Sequence, residues 1–72
     1  MRKTEMEIAA DAIKYCKKEL LRFRGMISAA ERGEFNKQPS ETVIKAWYYE
    51  AGKLEYVLGE REEMPLPYWR MN

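Results

Sequence analysis

Chemistry in this 72-residue chain has few side chains to draw on, because it contains no histidine and a single cysteine, Cys16. Without histidine, the side chain that most often serves as a general base near neutral pH is missing. Cys16 falls between Ile13 and Leu20 on an apolar line, where a thiol is expected to act as a small buried apolar group and not as a nucleophile. Carboxylates do occur in pairs, Glu7 with Asp11 one helical turn apart and Glu62 beside Glu63. Nothing near either pair suggests the burial that raises a carboxyl pKa. No glycine-rich phosphate loop is present, a lone cysteine excludes an intramolecular disulfide, and a zinc site of Cys and His ligands is ruled out by arithmetic. The expectation is a chain with no catalytic residues, no metal and no cofactor, whose work is binding.

Two sets of residues are candidates for that binding. Lys14, Lys18 and Arg22 recur every four residues, with Lys17 and Arg24 flanking them. On a helix these like charges share a face and repel one another by a few tenths of a kcal/mol per pair, and Asp11 and Glu19 offset only part of that. Such a row is either a solvated face or a site for an anionic ligand, whether nucleic acid, a phosphate-bearing small molecule or an acidic protein surface. The total of 13 Lys and Arg against 12 Asp and Glu, a net charge of +1, argues against a dedicated polyanion binder, which would be strongly basic.

The second set is aromatic. At 100° per residue, Lys45, Tyr49, Gly52 and Tyr56 form a stripe roughly opposite Ile44, Trp47, Leu54 and Leu58. Gly52 between the two tyrosines leaves room for a ring or a backbone to approach closely. Near the end of the sequence Pro65 and Pro67 space out Leu66, Tyr68 and Trp69. Either this arm covers the tyrosine stripe, within the chain or in an oligomer, or Tyr49, Tyr56, Leu66, Tyr68 and Trp69 together meet a protein partner.

The elements that would carry these residues are two helices. From Thr4 to about Arg32 there is no proline, and Met6, Ala9, Ile13, Cys16, Leu20, Phe23, Ile27 and Ala30 recur at alternating steps of three and four. This is an amphipathic helix with a heptad seam. Thr4 is its expected N-cap and Gly33 its stop, while Gly25 inside it should cost up to about 1 kcal/mol relative to Ala and favour a slight bend. After a loop over 34–38, Ser40 caps a second helix of about 40–58 with the seam Ile44, Trp47, Ala51, Leu54 and Leu58, ended by Gly59. The fold class expected is all-α: an antiparallel two-helix hairpin over 1–59 with an extended C-terminal arm over 60–72. Residues before proline are driven toward extended backbone, which is why the arm does not read as a third helix.

A chain this short buries only about 60% of the surface its unfolded form exposes. Helix 1 is also apolar beyond its seam, at Ile8, Tyr15 and Met26 on one flank and Ala10 and Leu21 on the other. One short helix cannot cover all of this, so a homo-oligomer in the form of a helical bundle is expected. The first residues, Met1 to Glu7, do not read as a signal peptide, and no apolar run approaches the roughly 20 residues a bilayer requires. With an unpaired cysteine suited to a reducing compartment, a cytoplasmic protein without a membrane partner is expected.

Overall fold

In the computed structural model, residues 2–70 are described; the last two positions of the expected arm lie outside them. Helix α1 runs Glu5–Glu31 and helix α2 runs Glu41–Val57, each within a residue or so of the sequence-based limits. Both starts are capped as the residue types require. The Thr4 side chain accepts from the Glu7 N–H at 3.2 Å and the Ser40 side chain accepts from the Val43 N–H at 3.3 Å, satisfying donors that the first turn leaves free.

Both ends close in the same way. Gly33 and Gly59 adopt φ of 69° and 77°, the left-handed region where a side chain is strained. Around them the N–H groups of Gly33 and Glu34 donate to the carbonyls of Ala30 and Ala29, and those of Gly59 and Glu60 to the carbonyls of Tyr56 and Glu55. Each is a Schellman closure that occupies two otherwise orphaned carbonyls. The Gln38 amide adds a further bond to the Ala30 carbonyl at 2.6 Å. Gly25 does not break α1, which is continuous through it.

The helices fold back antiparallel, as the cross-links between them show. Arg24 bonds Glu55 at 2.9 Å, and nearer the turn the Tyr48 hydroxyl bonds Glu31. Between them lies a core of buried Leu20, Ile27 and Ala51, with Phe23, Trp47, Leu54 and Leu58 packed against it. Phe35, from the connecting loop, closes the turn end with its ring 5.9 Å from that of Trp47.

The two seams are unequal in length. α1 has 27 residues and α2 has 17, which at 1.5 Å per residue leaves about 15 Å of α1 without an opposing helix. α2 meets the heptad line of α1 from Leu20 onward. Toward the N-terminus the same line runs out to solvent: Cys16 is half-buried, Ile13 is 49% exposed and Met6 is 85% exposed. The sequence reading of a single seam from Met6 to Ala30, with Cys16 buried in it, is therefore corrected. Within one chain, only the second half of the seam is used.

This division gives a measurable contrast. Leu20→Ala should cost about 2–5 kcal/mol, the range for emptying a buried leucine site. Ile13→Ala, on the unmatched half of α1, should stay within about 0.5 kcal/mol. Urea denaturation in dilute solution, where any association between chains is suppressed, checks both values.

Candidate functional site

The arm comes to rest on α2. Residues 60–67 carry no regular element, but Tyr68–Arg70 closes one 3-10 turn, with the Arg70 N–H donating to the Pro67 carbonyl at 2.9 Å. The expectation of an arm extended to its end is thus corrected: two prolines hold the chain open only as far as the aromatic pair. What holds it to the helix is steric fit at Gly52, which is buried. A Cβ on Gly52 would lie 2.9 Å from Cγ and 3.1 Å from Cβ of Pro65, so the proline ring occupies the space that any other residue would fill. Gly52 does serve a close approach, but the group that approaches belongs to the same chain.

Beyond the proline, three rings gather. The Tyr49 ring lies 6.1 Å from that of Tyr68 and 5.6 Å from that of Trp69, and Tyr68 and Trp69 meet edge to face at 5.1 Å. Edge-to-face and tilted pairs of this kind are worth about 0.5–1.5 kcal/mol beyond the area they bury. Lys53 places its ammonium 4.8 Å from the Tyr49 ring centre. Of the five aromatic-site residues read from sequence, the structure brings together Tyr49, Tyr68 and Trp69, with Leu66 alongside. Tyr56, 43% exposed, takes no part in this ring cluster.

The packed arm still presents apolar surface. Leu66 is 68% exposed and Trp69 is 66% exposed, and Tyr48, Tyr49, Arg61, Pro65 and Leu66 line an open groove of about 360 Å³. Arg61, which sequence reasoning passed over, donates through Nε to the Glu63 carbonyl at 3.0 Å and so shapes the bend that brings Pro65 onto α2. Tyr48 was missed as well. Its phenol is raised above the ordinary tyrosine range, first by the hydrogen bond to Glu31, then by partial burial and the carboxylate's charge.

The basic set divides into two kinds of residue. Arg24 is held by Glu55 at 2.9 Å and lies 3.9 Å from Glu60, bracing the hairpin. Arg22 is held by Glu19 at 2.7 Å and lies 4.7 Å from the Phe23 ring centre. Among the described residues Lys14, Lys17 and Lys18 make no ion pair, and all three are exposed. Among the described residues there is no group of three or more potential metal ligands and no helix long and apolar enough to cross a membrane.

No family model, curated protein or solved structure matches the chain.

Two measurements test this geometry. Gly52→Ala should expel Pro65 and loosen the arm, lowering the melting temperature by several degrees while far-ultraviolet circular dichroism stays helical and the near-ultraviolet aromatic signal weakens. In alkaline titration followed by tyrosine absorbance, Tyr48 should lose its proton above the ordinary tyrosine range, and Glu31→Gln should return it there. Because the folded value is raised, the contribution of this bond is complete below the ordinary tyrosine range and disappears as pH climbs through the raised one.

Proposed function

We propose that this chain is a small non-catalytic binding protein that associates with itself and docks a protein partner on the aromatic surface formed by its arm and α2. The observation that supports this reading is the arm's arrangement: Pro65 seated on Gly52 and Tyr68 on Tyr49, while Leu66 and Trp69 remain two-thirds exposed. An arm that served only to cover α2 would turn its largest apolar side chains inward. Here Pro65 and Tyr68 anchor the arm and Leu66 is displayed, while Trp69 does both, packing on Tyr49 at 5.6 Å with two-thirds of its surface open. Prolines reduce the freedom lost when such a segment docks, and a tryptophan beside a leucine on a rigid support has the composition of an interface hot spot.

A second reading has its own observation. Lys14, Lys17 and Lys18 lie within little more than one turn of α1 without internal acidic partners, and an anionic ligand, nucleotide or nucleic acid, would find them free. The two readings respond differently to salt: contacts to phosphates weaken steeply as salt rises, while an apolar docking surface is much less sensitive.

The test pairs Leu66→Ala with Trp69→Ala in the full chain. Leu66 is largely exposed, whereas Trp69 also packs on Tyr49 and Tyr68, so the melting temperature should fall by no more than a few degrees and far-ultraviolet circular dichroism should stay helical. Quantitative mass spectrometry of proteins retained by the wild type and by the double variant should show specific partners lost by at least tenfold, with no increase of that loss at high salt. Partners retained by the double variant but lost with Lys14→Glu and Lys18→Glu would favour the basic face instead.

A further inference from the structure

The docking just proposed leaves the partner's chemistry open, and Arg61 narrows it, in an inference that rests on that reading. Arg61 belongs to two grooves at once. One, of about 360 Å³, is walled by Tyr48, Tyr49, Pro65 and Leu66, and the other, of the same volume, includes Tyr48, Arg24 and Glu55. The Nε of Arg61 donates to the Glu63 carbonyl at 3.0 Å, and its Nη1 lies 3.4 Å from the point where a Cβ on Gly52 would stand. One of its five N–H donors is thereby committed to its own chain, and the group is held beside the seat of Pro65.

The other charges around these grooves are already engaged. Arg24 holds Glu55 at 2.9 Å, Lys53 holds Glu50 at 3.0 Å, Lys45 lies 3.4 Å from Glu41, and Glu31 accepts from the Tyr48 hydroxyl. Among the described residues Arg61 makes no ion pair, not even with Glu62 and Glu63, which follow it in the chain. In the free protein water compensates this charge, because Arg61 is exposed. A partner that covers Leu66 and the groove beside it removes that water, and a cation buried without a counter-charge is strongly penalised. The partner must therefore bring the counter-charge. We infer that the occupant of the groove is an extended segment of another protein, with an apolar side chain packed against Tyr48, Pro65 and Leu66 and a neighbouring Asp or Glu carboxylate paired with Arg61.

The surroundings limit what else could sit there. With Nε taken, the two Nη groups remain to receive a carboxylate end-on through parallel hydrogen bonds. The Tyr48 hydroxyl is spent on Glu31, so its half-exposed ring offers an apolar wall and not a second donor. Glu60, Glu62 and Glu63 are exposed on the same stretch of chain and repel a row of phosphates, so the site suits one carboxylate on an apolar segment and not a nucleic acid.

Suitable probes are end-capped fluorescent pentapeptides carrying one Leu, Phe or Trp and one Asp one or two places apart, each matched with counterparts in which Asn or Lys replaces Asp. By fluorescence polarisation on the full chain, the Asp peptides should bind at least tenfold tighter than the Asn peptides, the scale of one charge-assisted pair. Arg61→Gln should erase that preference, and Arg61→Glu should invert it in favour of Lys. The inversion separates a charge contact from a purely structural part for Arg61 in the bend, since a loosened arm would weaken every peptide alike. Equal binding of Asp and Asn peptides by the wild type would overturn the carboxylate and leave an apolar docking surface at Leu66 and Trp69 standing. Binding insensitive to Leu66→Ala and Trp69→Ala would overturn the docking reading itself, and this inference with it. An Asp preference that survives Arg61→Gln, or that disappears with Lys14→Glu and Lys18→Glu instead, would move the anion to the face of α1 and overturn the pairing with Arg61. So would an Arg61→Glu chain without the Lys preference, or a wild type that binds none of the peptides.

Discussion

The structure depends on one short apolar contact, the stretch where Leu20, Ile27 and Ala51 are closed off from water with Trp47 and Leu54 packed beside them. Everything that positions the candidate surfaces is anchored to it. It sets the helices antiparallel, which brings Arg24 to Glu55 and Tyr48 to Glu31. It also turns the opposite side of α2 outward, so that Tyr49 and Gly52 meet the arm. A core this small contributes only a modest surplus over the entropy of ordering the chain. The accessory contacts, namely the Schellman closures, the Phe35 ring on Trp47 and the proline on Gly52, are for that reason significant parts of the stability and not trimming.

Its position along α1 matters as much as its size. Because the contact uses only the half of α1 that follows the midpoint, the preceding turns carry an apolar line with no intramolecular reward. Monomeric proteins scatter single apolar residues over their surfaces as a matter of course, but Met6, Ala9 and Ile13 are not scattered. They share one line with the core, which continues along α1 past the end of α2.

The arm shows how a segment without hydrogen-bonded structure is given a fixed place. Pro65 and Pro67 limit the backbone, Arg61 ties down the bend, and the rings of Tyr49, Tyr68 and Trp69 supply the contact. The fit at Gly52 is the most exacting element, since a single methyl group there would collide with the proline ring. Such an arrangement holds the backbone of the arm while leaving Leu66 and Trp69 on display.

Much of this was written in local sequence. The seams, both N-caps and both glycine stops depend on side-chain type and spacing within a few residues, and those are the quantities a sequence states directly. The pairing of two helices across a short loop follows from the same information. Three features depend on distance in space instead. Which half of the long α1 seam α2 would cover was decided by the loop and by the length of α2, and this left Ile13 in water and Cys16 half-buried where periodicity alone put them in a core. That Arg24 would be occupied was decided by Glu55 on the other helix, whereas the pairing of Arg22 with Glu19, three residues away on α1, is local. And Gly52, readable as a gap between two tyrosines, was filled by Pro65 of the same chain, because only the folded hairpin brings residues so far apart in sequence within van der Waals reach.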